Sequence, residues 1–167
     1  MRAHRANSLS ELKVKTAKEL VKIIAGLKTK GNKIVFTNGC FDLLHYGHVK
    51  YLEDAKKKGD ILVVGINSDA SVRRIKGNKR PIVGEKDRQR TIAGLESVDY
   101  VLCFKQDTPL EMIKLLKPDI LVKGADWKKE RIAGADYILR YGGRVSSVKL
   151  VKNRSTTNLI KKIASTF

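Results

Sequence analysis

Short apolar runs alternate with amphipathic segments along almost the whole chain, and this alternation constrains the fold more than any other feature. The apolar runs predict strands over residues 33–37, 61–66, 100–104, 119–122 and 144–150, and the periodic segments predict helices over 18–28, 47–58, 87–95, 110–116, 131–141 and 156–164. Strands that alternate with helices imply right-handed crossovers and a parallel sheet. Residues 61–66 (ILVVGI) are apolar throughout, which is typical of a sheet covered on both faces. The sequence therefore predicts an α/β fold, with the basic segment 73–80 as a mobile loop.

The size of the chain fits one domain, since 167 residues with 42% hydrophobic residues can bury one core. We assign residues 33–167 to that domain, and residues 1–32 to a tail and a helix of the same unit. No apolar run approaches the ~18 residues of a membrane span, and the start lacks the pattern of a secretory signal. Cys40 and Cys103 form no close pair. We therefore expect a cytoplasmic protein with no membrane partner.

The formal net charge of +18 predicts an anionic partner. Nucleic acid, a membrane surface and phosphorylated metabolites all meet that requirement. Many of the lysines, such as those at 56–58 and 161–162, fall on predicted helices with an ordinary solvated face. Charge alone therefore does not choose among these partners.

A ligand of an open α/β sheet binds beyond the carboxyl ends of the strands, and residues 36–48 (FTNGCFDLLHYGH) follow the first strand. Gly39 allows a ligand to approach the backbone closely. His45 and His48 lie three residues apart at a predicted helix start, where N–H groups and the helix dipole favour phosphate. Taken alone, the two histidines are equally compatible with a structural role. A metal site is a further alternative, but even with Asp42 nearby it lacks a clear ligand set, and we predict no protein-bound metal.

A second unusual segment, residues 154–157 (RSTT), directly precedes the last predicted helix. Its hydroxyl and N–H groups would form a phosphate cradle, although such residues also serve as ordinary N-caps. The two segments together resemble the signatures of the HxGH nucleotidyltransferase family, which includes cytidylyltransferases and adenylyltransferases. The resemblance implies a Rossmann-like fold, with His45 and His48 stabilising the transition state at the α-phosphate. It also implies nucleotide contacts at both signatures and at one loop between them: Phe36, Thr37, Asn38, Gly39, Phe41, Gly47, Asp126, Ser155, Thr156 and Thr157.

The segments between these signatures narrow the resemblance. Residues 67–69 (NSD), 76–77 (KG), 80–81 (RP), 87–88 (DR) and 123–127 (KGADW) are similar to the heptose-1-phosphate adenylyltransferases. The similarity extends over nearly the whole chain from residue 33. It implies that ATP and a phosphorylated sugar are the substrates, that Mg²⁺ accompanies ATP, and that the enzyme is a homodimer. Because no kinase half is present in the sequence, we expect the stand-alone form.

Several polar side chains are candidates for contacts with the substrates. We assign Asp42, Asn67, Arg80 and Lys123 to the sugar phosphate, and we add Lys76 and Arg88 to the two histidines as catalytic residues. An arginine binds phosphate oxygens through a fork of donors, so Arg88 is predicted to face the cleft and hold the acceptor phosphate. Lys76 and Arg80 are predicted to cover the triphosphate.

Three further expectations concern hydroxyl groups and the base. Asp42 is expected to accept a hydrogen bond from a sugar hydroxyl or to help place a cation. Asp126 is expected to bind the ribose hydroxyls, and Trp127 to stack on the base. Asp126 is also compatible with a helix N-cap, and Trp127 with a core position.

Two other functions remain open. The first is a cytidylyltransferase for glycerol 3-phosphate or a similar polyol phosphate, although residues 150–153 (LVKN) replace the Arg-Thr-Glu-Gly run that the resemblance would require. The second is a non-catalytic module that binds a nucleotide or nucleic acid. With 6% aromatic residues and no aromatic RNA-binding motif, the chain lacks stacking platforms, so we expect no nucleic-acid partner. A P-loop phosphotransferase is excluded, because no GxxxxGK[ST] segment is present.

Overall fold

The computed structural model describes residues 8–125, 132–152 and 154–166. Its strands are β1 (Ile34–Gly39), β2 (Ile61–Asn67), β3 (Tyr100–Phe104), β4 (Ile120–Gly124) and β5 (Arg144–Val148). Its helices are α1 (Leu9–Lys13), α2 (Ala17–Thr29), α3 (Tyr46–Lys56), α4 (Asp69–Lys76), α5 (Glu85–Ala93), α6 (Leu110–Leu116), α7 (Ala135–Arg140) and α8 (Thr156–Thr166). The predicted strands and helices are all present, and their ends differ from the predicted ends by a few residues.

The strands form one parallel sheet in the order β3-β2-β1-β4-β5. From β1, the chain builds the sheet outward through β2 to β3, and it then crosses to the other side of β1 to add β4 and β5. The order of the strands therefore reverses between β1 and β4. In a sheet of this kind a ligand site is expected at the carboxyl ends of those two strands.

Helices cover both faces of the sheet, as predicted. Side chains alternate along β1, so that Val35 packs with residues of α3 and α5. Its neighbours Ile34 and Phe36 pack on the other face with residues of α2, α6 and α7. Each face of the sheet thus buries one apolar cluster, which explains why the strands are apolar on both sides.

Aspartates satisfy backbone groups at the amino edge of the sheet, away from the expected ligand site. Asp119 accepts a hydrogen bond from the Ile34 N–H at 2.8 Å, and Asp99 accepts one from the Leu62 N–H at 2.6 Å. Both strand starts are thereby fixed to neighbouring segments.

Two helices were not predicted from the sequence. Helix α1 begins at a capping box in which Ser8 and Glu11 bond to each other's backbone N–H groups. Helix α4 extends into the first half of the segment 73–80, which was expected to be a loop. Ser68 caps the start of this helix by accepting a hydrogen bond from the Ser71 N–H. Among the described residues, no helix is both long enough and apolar enough to cross a bilayer.

Candidate functional site

The two histidines of the first signature lie together at the start of α3. His45 is the N-cap residue, and its side chain makes no capping hydrogen bond. The His45 and His48 rings stack, with centroids 3.8 Å apart and an interplanar angle of 19°. The i,i+3 spacing predicted a shared face, and the structure brings both imidazoles to one point at the helix start.

Both imidazoles are held in the neutral form. Burial lowers the pKa of His48 to about 4, and the neighbouring His45 adds to this shift, whereas the Leu43 backbone acts in the opposite direction. Burial also lowers the pKa of His45, and the positive charge of Arg154 contributes. The Nδ1 atoms of both rings are buried without a hydrogen-bond partner among the described residues. At neutral pH each ring therefore offers one N–H donor and carries no charge.

The start of α8 meets the start of α3. Thr156 donates from its hydroxyl to the Leu43 carbonyl at 3.5 Å, and Ser155 caps α8 by accepting from the Asn158 N–H at 3.1 Å. A Cβ atom at Gly47 would lie 3.0 Å from the His45 ring and 3.1 Å from Arg154 Cβ. The absence of a side chain at Gly47 is what allows these two helix starts to approach. Thr157 is exposed beside them.

Buried hydrogen bonds join β1, α3 and β4 below the histidines. Thr37 and Tyr51 share a hydrogen bond between their hydroxyls at 2.7 Å, and both lie within bonding distance of the Val122 carbonyl, at 3.0 and 3.2 Å. Thr37 therefore supports the site from within the core. Phe36 is fully buried and belongs to the apolar cluster beneath the sheet. Both side chains are fully buried, and their predicted contacts with a nucleotide stay predictions.

The carboxyl ends of β1 and β4 carry polar side chains in contact. Lys123 donates a hydrogen bond to the Asn38 side-chain oxygen, which joins the two strands at the point where strand order reverses. Both residues are half-buried. Gly39 ends β1, and a Cβ atom there would lie 2.9 Å from the Phe41 ring. The Phe41 ring thus lies close to the backbone at Gly39, and the approach of a ligand there stays a prediction.

Asp42 bonds to the segment that precedes α5. Its side chain is completely buried, and it accepts hydrogen bonds from the Ile82 and Val83 N–H groups at 2.8 and 2.9 Å. It also forms an ion pair with Arg80. The oxygens of Asp42 thus hold residues 80–83 against the loop before α3, and its contact with a sugar hydroxyl stays a prediction.

Arg88 does not face the cleft. It is 1% exposed, and its guanidinium donates to the carbonyls of Cys40, Asn67 and Val83 and to the Asp69 carboxylate. These groups occupy the donors that were predicted to hold an acceptor phosphate, and the contact with that phosphate stays a prediction.

Asn67, also predicted to touch the sugar phosphate, is buried and donates to the Ser71 hydroxyl at 3.0 Å. Periodicity could have indicated that Arg88 is buried, because Ile92 follows it at i+4 in the core.

The remaining predicted residues lie beside the loop that follows β1 or outside the described part. Lys76 is exposed at the end of α4, close enough to Cys40 to oppose the rise that burial causes in the pKa of that thiol. Arg80 is half-buried beside Asp42. Asp126 and Trp127 fall outside the described residues. Within those residues, no group of three histidine, cysteine or acidic side chains could hold a metal ion.

Two contributors to the site were not predicted. Tyr51 links α3 to the strands, and Arg154 lies beside His45, where its positive charge lowers the pKa of that ring. Only Arg154 had a signal in the sequence, its position as the first residue of the segment 154–157.

Comparison with known proteins gives consistent matches. The sequence model of the cytidylyltransferase-like family matches residues 36–162. Curated relatives named bifunctional protein HldE are 55% identical over 157 residues in Geobacter metallireducens and 52% identical over 158 residues in Pelobacter propionicus. These matches cover 94% and 95% of this chain but 32% of each relative. The chain thus spans about a third of their length.

Solved structures agree with the fold. A lipopolysaccharide core biosynthesis protein from Thermoplasma volcanium is 32% identical with a TM-score of 0.59, and the match covers 74% of this chain and 100% of that one. Pantothenate synthetase from Thermus thermophilus is 15% identical with a TM-score of 0.61, and the match covers 88% of this chain and 67% of that one. The second likeness concerns the fold alone.

Proposed function

The chain belongs to the cytidylyltransferase-like family of nucleotidyltransferases, and from this membership we propose that it transfers AMP from ATP to a heptose 1-phosphate. The products are ADP-heptose and pyrophosphate, for assembly of a lipopolysaccharide core or a related glycan. The names of the relatives and of the Thermoplasma protein support this substrate class. So does the similarity of residues 67–69, 76–77 and 123–127 to heptose-1-phosphate adenylyltransferases.

The observation that carries the proposal is the stacked histidine pair between two helix starts. His45 and His48 lie at the N-terminus of α3, and Thr156 of α8 bonds to the loop that leads into it. Two helix N-termini direct N–H groups and positive dipole ends towards one place. An arrangement of this kind suits a polyphosphate on whose oxygens negative charge develops during the reaction.

The reaction is an in-line displacement at phosphorus. An oxygen of the sugar phosphate forms a bond to the α-phosphorus of ATP, while the bond from that phosphorus to the bridging oxygen breaks and pyrophosphate leaves. The attacking oxygen is already anionic, so no general base is needed. Catalysis then consists of alignment and of stabilising charge on the phosphoryl oxygens. His45 and His48 supply N–H donors, and Arg154 supplies a nearby positive charge.

Mg²⁺ enters as part of the MgATP substrate in this proposal. The described residues contain no set of protein ligands for it, whereas phosphate oxygens are the ligands that Mg²⁺ prefers. Its chemistry is to neutralise the charge of the triphosphate. Lys76 lies near Cys40, Arg80 pairs with Asp42 and Lys123 bonds to Asn38. All three therefore lie beside the segment at the end of β1, and we assign them to phosphate groups of the two substrates.

Pyrophosphate release tests the proposal directly. The purified protein is given ATP or CTP with a panel that includes heptose 1-phosphates, other sugar 1-phosphates and glycerol 3-phosphate. We expect release with ATP and a heptose 1-phosphate. Preference for CTP and glycerol 3-phosphate would move the assignment to a polyol-phosphate cytidylyltransferase, and nucleotide binding with no release would leave a binding module. We further propose that the protein is cytoplasmic and forms a homodimer. Sedimentation at several protein concentrations tests the dimer.

A further inference from the structure

We propose that Arg88 is a positioning residue for the histidine pair, acting on His48 through the Cys40 carbonyl and the Phe41 ring. The kinetic consequences of this inference rest on the proposed function. The link from Arg88 to His48 can be measured without turnover.

Arg88 joins three separate segments of the chain. It donates to the Asn67 carbonyl at the end of β2 and to the Val83 carbonyl before α5, at 2.8 and 2.9 Å. It also donates to the Cys40 carbonyl in the loop that leads into α3. Burying a guanidinium is costly unless its donors are satisfied, and an apolar residue would leave three carbonyls without this donor. The buried arginine therefore orders the loop in a way that simple core packing could not.

The Cys40 carbonyl belongs to the peptide group that connects Cys40 to Phe41. Phe41 has a φ of 47°, a left-handed conformation that is unfavourable for a bulky residue. Such a conformation persists only where the surroundings fix it on several sides. Arg88 holds the preceding peptide, and the Phe41 ring lies against Gly39, where a Cβ atom would come within 2.9 Å of it.

The Phe41 ring then contacts the catalytic pair. Its centroid lies 5.3 Å from that of His48, with an interplanar angle of 66°, an edge-to-face contact. His48 in turn stacks on His45. The next residue, Asp42, binds the N–H groups of Ile82 and Val83. The loop is therefore held at two adjacent points, and a shift of Phe41 would move His48.

The test is Arg88→Lys. Lysine keeps the positive charge but lacks the planar fork that reaches several carbonyls at once. We expect kcat to fall by about 10-fold to 100-fold, with both KM values within about twofold, because displacement of catalytic groups by a fraction of an ångström costs rates of this order. In parallel, NMR of the unliganded protein should show that the His48 ring resonances shift.

Asp119→Asn is the matched control. Asp119 also fixes a strand by binding a backbone N–H, but it does so at the opposite edge of the sheet and pairs with Lys28 there. We expect it to lower the melting temperature while leaving kcat and the His48 resonances unchanged. If Arg88→Lys does not fold, Phe41→Leu tests the next link, since it removes the ring edge from His48 and should give the same kinetic and NMR changes.

The outcomes separate the alternatives. If Arg88→Lys behaves like Asp119→Asn, with normal kcat and normal His48 resonances, Arg88 is only structural and the proposal is overturned. A raised KM for the sugar phosphate at normal kcat would make it a substrate-binding residue instead, and also overturns the proposal. If the wild-type protein shows no transfer activity, the proposed function fails, whereas the His48 resonances still test the positioning.

Discussion

His45 and His48 stack face to face, 3.8 Å between ring centroids, at the N-terminus of α3. Two imidazolium ions at this separation would repel each other, and the helix dipole adds positive potential at the same place. Burial lowers the pKa values of both rings; the charge of His45 adds to the shift of His48, and the charge of Arg154 adds to the shift of His45. In the proposed reaction the pair therefore acts as two neutral donors, and positive charge must come from arginine, lysine and helix dipoles.

Removing either imidazole should abolish most of the activity. For His45→Ala and His48→Ala we expect kcat to fall by roughly 10²–10³, as for the loss of one oxyanion-type donor. The fold should persist, since both rings are only partly buried and lie at the start of α3. Steady-state pyrophosphate release measures the effect, with Lys57→Ala as control because Lys57 is an exposed residue directly after α3. Near-normal turnover in both histidine variants would refute the catalytic assignment.

The low pKa of His48 makes stability depend on pH. In the unfolded chain this ring binds a proton near its ordinary pKa of 6.5, whereas in the folded protein its pKa is about 4. As pH falls from 6.5 towards 4, the unfolded state takes up a proton that the folded state does not, so stability is lost in this window. Above pH 6.5 the ring is neutral in both the folded and the unfolded state, and the protein keeps its full stability.

His48→Gln should therefore lose less stability on acidification. We expect its melting temperature to fall less than that of the wild type between pH 7 and pH 5, where a difference of 1 kcal/mol corresponds to roughly 2–4 °C. Calorimetry at constant ionic strength makes the comparison. Parallel decreases for both proteins would mean that His48 does not titrate in this window.

The fold could be predicted because its strands and helices differ strongly in periodicity. Residues 61–66 and 100–104 have apolar side chains on both faces, and the structure makes them β2 and β3. The meeting of the histidines with residues 154–157 was predictable only through the resemblance, since no local pattern relates segments 110 residues apart. The bonds of Arg88 and Asp42 to the loop could not be predicted, because a charged side chain near a ligand loop has the same sequence signature whether it binds substrate or holds that loop. Burial and the surrounding backbone carbonyls distinguish the two roles, and both depend on tertiary contacts.

Nucleotide preference can be measured without knowing the sugar. We expect MgATP to raise the melting temperature more than MgCTP at equal concentration, because a ligand that binds only the folded state stabilises it in proportion to its affinity. The reason is the LVKN segment at 150–153, which lacks the sequence expected of a cytidylyltransferase. Differential scanning fluorimetry checks this, with magnesium alone as the blank. A larger shift with CTP would favour the cytidylyltransferase alternative.

Gly47 should control the contact between the two helix starts. Alanine normally stabilises a helix relative to glycine by up to about 1 kcal/mol. At Gly47, however, the new methyl group would lie 3.0 Å from the His45 ring and 3.1 Å from Arg154 Cβ, so the ring or the start of α8 must move. For Gly47→Ala we expect little net change in melting temperature and a fall of about tenfold or more in kcat/KM for ATP, because the donors no longer converge. Gly26→Ala in α2 is the matched control, since nothing lies within 4 Å of its Cβ position. It should raise stability and leave kcat unchanged. If Gly47→Ala also keeps full activity, the close approach of α3 and α8 is not required for catalysis.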